Sequence, residues 1–262
     1  MNESSQDKIR GQVRARYAAI AKAEQSSCCG GTRKEWNPAA AAAEELGYSA
    51  ADVAAVPEGA EMGLGCGNPL AIASIQPGMT VVDLGSGGGF DCFLAADKTG
   101  TGGQVIGIDM TPEMISRARA NAVKAGLPWV EFRLGEIEAL PVGDNQADLV
   151  LSNCVINLSP DKPRVFREAI RILKPGGRLA IADIVATAEM PPALRADVAA
   201  YTGCVAGASL VGELERHLAE AGFQEIRIRL REDTRPMISS WTPGFPSGDY
   251  VVSSFIEATK PC

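Results

Sequence analysis

From Met79 onward, short apolar runs alternate with longer amphipathic ones, and this alternation constrains the fold more than any other feature of the chain. Contiguous apolar runs read as strands buried on both faces, and the amphipathic stretches between them as helices that cover the sheet. Strands are expected over 80–84, 104–108, 130–134, 147–152 and 178–184, with helices over 90–97, 112–125 and 160–173. Thr111-Pro112-Glu113 supplies an N-cap and a proline at the first helical position, and Pro175-Gly176-Gly177 stops the last of these helices. After Ala186 the rhythm weakens to helices over about 192–200 and 211–221, with a glycine-containing insert at 203–207 between them. Late strands follow over 225–230 and 250–257, separated by a loop rich in Pro and Gly. The expected fold class is α/β, with one doubly wound, mostly parallel sheet and helices on both faces.

The stretch before this region is different. It is alanine-rich over 38–43 and then broken by Gly47, Pro57, Gly59, Gly63, Gly65, Gly67 and Pro69. It reads as an extension with short helices and a cysteine-containing loop, one helix opening at Asn37-Pro38 and stopping at Gly47. The expected division is residues 1–75 as N-terminal extension, 76–190 as core and 191–262 as C-terminal elaboration with the late strands.

At 262 residues the chain can bury a substantial core. A formal charge of -7 argues against nucleic acid as a partner, because phosphate binding needs a basic surface. No run approaches the roughly 18 apolar residues of a membrane span, and the start, Met1-Asn2-Glu3-Ser4, carries no apolar leader. The expectation is a soluble, cytoplasmic monomer that acts on a small molecule. Seven cysteines, an odd number, suit reactive or ligand thiols better than a disulfide framework.

The first expected strand runs into Asp83-Leu84-Gly85-Ser86-Gly87-Gly88-Gly89. A glycine run between strand and helix lets backbone approach a ligand and offers it helix N-terminal N–H groups. The dinucleotide fingerprint G-x-G-x-x-G fails, because its third glycine falls at Phe90. What remains, with Asp109 ending the next strand, resembles the motif of class I S-adenosylmethionine-dependent methyltransferases, which implies a Rossmann-like sheet. The resemblance implies that Asp83 helps hold the amino-acid end of the cofactor and that Gly85, Ser86, Gly87 and Gly89 form its loop. It also implies Asp109, beside Met110, at the ribose and Glu136 with Ile137 near the adenine. Asn153 ends the fourth strand, where reacting groups of the superfamily lie.

Methyl transfer from a sulfonium is an in-line displacement, and an oxygen nucleophile would require a base. The only histidine, His217, sits in a helix with a surface-bearing pattern and reads more readily as an exposed residue than as that base. Thiols are better placed. Leu64-Gly65-Cys66-Gly67-Asn68-Pro69, Ser152-Asn153-Cys154-Val155-Ile156-Asn157-Leu158 and Gly203-Cys204-Val205-Ala206-Gly207-Ala208 resemble the cysteine motifs of arsenite methyltransferases, a likeness that runs from roughly Arg10 to Lys260. This implies that Cys66, Cys154 and Cys204 hold trivalent arsenic as a pyramid of soft ligands, its lone pair turned toward the methyl group. The C-terminal part then completes the arsenic site. Transfer oxidises arsenic formally to the pentavalent state, so turnover calls for two electrons from thiols. Cys28 and Cys29 are the expected relay, reset by thioredoxin or glutathione through thiol exchange. Cys92 reads as a packed small residue and Cys262 as a disordered, incidental terminus. Two other readings stay open: a carbon or oxygen methyltransferase with thiols merely lining its pocket, and a non-enzymatic thiolate module for a metalloid.

Overall fold

The computed structural model describes residues 3–25, 43–242 and 244–262. Seven strands form one sheet in the order β3-β2-β1-β4-β5-β7-β6. They are β1 (Thr80–Leu84), β2 (Gln104–Asp109), β3 (Val130–Leu134), β4 (Ala147–Asn153), β5 (Leu173–Ala186), β6 (Gln224–Arg231) and β7 (Val251–Thr259). The first five run parallel, and β7 is antiparallel to both β5 and β6. Val81, Val82 and Leu84 of β1 are fully buried because helices cover both faces, which is why these strands are apolar without alternation.

Two apolar clusters flank the sheet. One gathers Val82, Ile106, Val150, Phe166 and Leu218 under the Lys162–Ile172 and Val211–Ala221 helices. The other packs Val81, Phe93, Val105 and Ile115 under the Phe90–Thr99 and Pro112–Ala125 helices. A third cluster, beyond the carboxyl ends of β4 and β5, contains Cys66, Cys154 and Cys204 together with Val13 and Ile184. Strand order reverses between β1 and β4, where Leu84 pairs with Ser152. That reversal opens a crevice at the carboxyl edge, the usual ligand position in open α/β sheets.

All seven expected strands form, with small differences of boundary. β5 begins at Leu173, earlier than expected, because Leu173 pairs with Ala147 before a register shift and Gly176 (φ 75°) carries the chain through the turn. The helix expected over 192–200 is instead two, Pro192–Arg195 and Val198–Thr202, because Asp197 accepts a hydrogen bond from the Ala200 N–H and so caps a new start. The Pro- and Gly-rich loop contains a further helix, Arg235–Trp241, with Pro236 in its first turn. Cys262 is not disordered: it is described as an exposed free thiol, the chain end being tied down by Lys260, which donates to the Leu173 carbonyl at 2.7 Å. The helix expected to open at Asn37-Pro38 lies outside the described residues at its start; Gly47 does turn the chain, at φ 98°.

In the N-terminal part, the Glu3–Gln25 helix packs on the Pro112–Ala125 and Val198–Thr202 helices. Arg10 pairs with Glu138 at 3.3 Å, Arg14 with Glu136 at 3.0 Å, and Arg16 donates to Thr202 Oγ1 at 2.6 Å. No helix among the described residues is long and apolar enough to cross a membrane.

Candidate active site

A cleft lies at the strand-order reversal. Its floor is the turn after β1. Gly85 (φ 72°), Gly87 (φ 51°) and Gly89 (φ 96°) are all left-handed, and a Cβ on Gly85 would lie 2.3 Å from Val155 Cγ2. Asp109 at the end of β2 accepts from the Gly87 N–H at 3.0 Å and from the Thr111 N–H at 2.8 Å, which fixes the loop against the next strand.

Most of the expected cofactor residues line this cleft: Asp83, Gly85, Ser86, Gly87, Asp109, Met110, Ile137 and Asn153. Two do not. Gly89 caps the Phe90–Thr99 helix, where a Cβ would strike Phe93 and Phe132, so its part is close packing. Glu136 is absent from the lining; its carboxylate is held by Arg10 and Arg14 while Glu138, accepting from Ser159 Oγ at 2.7 Å, faces the cleft. The cleft suits a cofactor with polar and cationic groups. Ser86 Oγ is buried without a hydrogen-bond partner, and Asp83 and Asp91 face the space with no ion pair among the described residues. Burial and the neighbouring Asp91 push the Asp83 carboxyl up to about 8.

The three expected thiols share one buried apolar cluster beside the cleft, and Cys154 also lines the cleft. Cys66, Cys154 and Cys204 are 0%, 4% and 2% exposed. Sγ of Cys66, Sγ of Cys154 and a carboxylate oxygen of Asp183 lie within 4.8 Å of one another. Cys204 is outside this group of three; it approaches from the turn after the Val198–Thr202 helix and donates to the Cys154 carbonyl at 2.7 Å. Cys154 (φ 59°) and Cys204 (φ 65°) are both left-handed, a conformation that costs a non-glycine residue about 1–2 kcal/mol.

Side chains outside the cysteines set their positions. Asn153 Oδ1 accepts from the Cys66 N–H at 3.1 Å, and its amide group donates to Gly67 O at 2.9 Å and to Asp91 Oδ2 at 3.1 Å. Ser253 Oγ holds the Cys66 carbonyl at 2.6 Å. Gly67 lets this loop lie on β5, since a Cβ there would sit 2.8 Å from Ala182 Cβ. On the other side Asn157 donates to Asp183 Oδ1 at 2.9 Å and to the Cys204 carbonyl at 3.3 Å, and Lys162 Nζ donates to Gly207 O at 2.6 Å.

Burial dominates the electrostatics. It pushes the Cys66 thiol up to about 12 and the Cys154 thiol well above the ordinary range. At Cys204 the hydrogen bond with Cys154 comes first and burial second, again upward. Asp183 is pushed up to about 7 by burial, against the backbone N–H of Ile184 and the Lys162 charge. Near neutral pH the three thiols are therefore protonated and uncharged. Tyr17 of the N-terminal helix, half-buried, packs against this cluster and donates from its hydroxyl to the Thr202 carbonyl at 3.4 Å.

Cys92 is packed, as expected, and also donates from Sγ to Asp83 Oδ2 at 3.2 Å. Cys28 and Cys29 lie outside the described residues. Tyr17, Asp91 and Asp183 were missed by sequence reasoning. Asp183 carried a signal, a carboxylate inside the apolar run of β5, and Asp91 another, an acid directly after the glycine loop.

Sheet order, glycine turn and cleft define an S-adenosylmethionine-dependent methyltransferase, and a methyltransferase-domain family matches residues 75–222. An arsenite methyltransferase of Halobacterium salinarum is 50% identical over 264 residues, covering 97% of this chain and 67% of that protein. The human arsenite methyltransferase is 37% identical over 168 residues, 61% of this chain and 44% of its own length. The chain thus spans from under half to about two thirds of the length of these relatives. The crystal structure of an arsenic(III) S-adenosylmethionine methyltransferase from Chlamydomonas reinhardtii superposes with a TM-score of 0.63 at 30% identity, covering 86% of this chain and 74% of that one. A phosphoethanolamine methyltransferase of Haemonchus contortus shares the fold at 20% identity and a TM-score of 0.65. The chain belongs to the arsenite methyltransferase family.

Proposed function

We propose that the enzyme methylates trivalent arsenic held by Cys66, Cys154 and Cys204, to monomethyl and further to dimethyl species, in arsenic detoxification. The observation that carries this reading is that three buried thiols share one cluster beside a cleft lined by two carboxylates unpaired among the described residues.

Uncharged thiols match an uncharged substrate. Arsenous acid, As(OH)₃, exchanges three hydroxyls for three cysteine sulfurs and releases three waters, with no net proton uptake or loss. A divalent metal would need thiolates, which burial opposes here. Soft sulfur selects arsenic over hard cations. The walls around Cys66 and Cys204 exclude water, and the arsenic lone pair, not used by the three sulfurs, is left for the side on which Cys154 lines the cleft.

S-adenosylmethionine, when bound, supplies an electrophilic methyl group on a positively charged sulfur. Asp83, the Gly85–Gly87 turn, Ser86, Asp109, Met110 and Ile137 are the residues to hold it. No general base is required, because the nucleophile is a lone pair and carries no proton. The Cys28/Cys29 pair acts with Cys66 to return the two electrons that reduce pentavalent product, one thiol of the pair and that of Cys66 becoming a disulfide that thioredoxin or glutathione resets. Purified protein given S-adenosylmethionine, arsenite and glutathione should release methylated arsenicals, separable by chromatography with elemental detection. Product no greater than in a heat-killed control would rule the reading out.

A further inference from the structure

Asp91 is the buried carboxylate that the reading above leaves without a task. It sits in the first turn of the Phe90–Thr99 helix, is 7% exposed, and lines the cleft beside Asp83. Tyr48 Oη donates to its Oδ1 at 2.6 Å, and Asn153 Nδ2 donates to its Oδ2 at 3.1 Å. These donors are neutral, so the carboxylate is oriented but its charge is not cancelled. Among the described residues no ion pair reaches Asp91 or Asp83, and the unpartnered, buried Ser86 hydroxyl lines the same space. Two adjacent buried carboxylates call for positive charge in the ligand.

The two acids, though adjacent, are tied to different neighbours. Asp83 opens the glycine turn and takes the Cys92 thiol on one oxygen. Asp91 is joined through the single side chain of Asn153 to the backbone of Cys66, at 3.1 Å on either side. The reacting methyl must lie at the arsenic end, and so must the sulfur that carries it.

We propose that Asp91 is a further cofactor-binding residue, which faces the sulfonium charge and separates the methyl donor from its neutral demethylated product, while Asp83 faces the ammonium group common to both. The proposal rests on the cofactor assignment above and on the methyl acceptor lying at Cys66. It gives the enzyme a means of releasing S-adenosylhomocysteine, since the charge that Asp91 holds vanishes when the methyl leaves.

Isothermal titration of the arsenic-free enzyme with S-adenosylmethionine, S-adenosylhomocysteine and sinefungin, which bears a protonated amine in place of the sulfonium, tests this directly. The wild type should bind both charged ligands more tightly than S-adenosylhomocysteine; equal affinities would overturn the proposal without any variant. Asp91→Asn should weaken S-adenosylmethionine roughly tenfold and S-adenosylhomocysteine less than about twofold. Asp83→Asn should weaken both comparably. Thermal unfolding of each variant checks that it is folded, and Tyr48→Phe, which keeps the Asp91 charge, should preserve the preference for the charged ligands. Equal weakening of both ligands by Asp91→Asn, or of neither, would refute the assignment. Failure of the wild type to bind any of the three would instead contradict the cofactor reading, and this proposal with it.

Discussion

The Cys204 thiol donates its hydrogen to the backbone carbonyl of Cys154 at 2.7 Å, across 50 residues of sequence. The bond joins the turn after β4 to the insert after the Val198–Thr202 helix, and both of its residues are left-handed at φ 59° and 65°. Strain of this kind persists only where surrounding contacts over-determine it. Here the Asn157 and Lys162 bonds to Cys204 O and Gly207 O supply that restraint.

The left-handed backbone at Cys204 inverts the ordinary order of small-residue substitutions. Cys204→Gly should be more stable than Cys204→Ala by roughly 0.5–1 kcal/mol, because the left-handed penalty on alanine exceeds the entropy cost of glycine. Urea denaturation of the two variants measures the difference, and the reverse order would mean that the turn relaxes when the thiol is lost.

Burial and suppressed thiol ionisation together predict slow chemistry at four of the cysteines. Cys66, Cys92, Cys154 and Cys204 are buried and Cys262 is exposed. In a Cys28→Ser/Cys29→Ser background, an aromatic disulfide reagent should react quickly with one thiol per native chain and with all five in urea. Rapid loss of more than one thiol in the native state would contradict the closed cluster.

The Cys66 loop depends on Gly67. Gly67→Ala places a Cβ against Ala182 Cβ, a backbone-fixed atom that cannot turn aside, and should cost about 1–3 kcal/mol of overpacking. The loop would lift from β5, so arsenite affinity should fall at least tenfold while S-adenosylmethionine affinity changes little. Parallel binding titrations separate the two effects.

Much of the architecture was legible in the chain because buried parallel strands are contiguous apolar runs and glycine turns are irreplaceable at close backbone approaches. The Arg235–Trp241 helix escaped notice because it is short and hidden among prolines and glycines that usually mark loops. The convergence of Cys66, Cys154 and Cys204 could not be read from spacing. It depends on the strand-order reversal, which carries β4 beside β1, and on Asn153 reaching back to a loop that precedes the sheet. Tyr17 was illegible for a related reason: its partner Thr202, whose carbonyl it bonds at 3.4 Å, lies 185 positions away.

The buried acids give the ligand-free enzyme an unusual dependence on pH. Folded Asp183 keeps its proton up to about 7, whereas an unfolded aspartate releases it near about 4. Between these values the folded state holds the extra proton, so stability falls as pH rises through the window and levels off above it. Asp91, raised to about 6, and Asp83, raised to about 8, act with the same sign. Lys162 and the thiols of Cys66, Cys154 and Cys204 are the other groups facing Asp183. The urea midpoint should therefore drop from pH 5 to pH 8, and Asp183→Asn should reduce that drop by on the order of 2 kcal/mol even though it lowers stability overall. An unchanged slope in the variant would show that Asp183 titrates normally.

X-ray absorption at the arsenic edge, on the Cys28→Ser/Cys29→Ser protein loaded with one equivalent of arsenite, tests the thiol clamp most directly. Three sulfur neighbours and no oxygen are predicted, with one sulfur lost in each of Cys66→Ser, Cys154→Ser and Cys204→Ser. A shell containing oxygen, or three sulfurs retained in any single variant, would contradict the clamp.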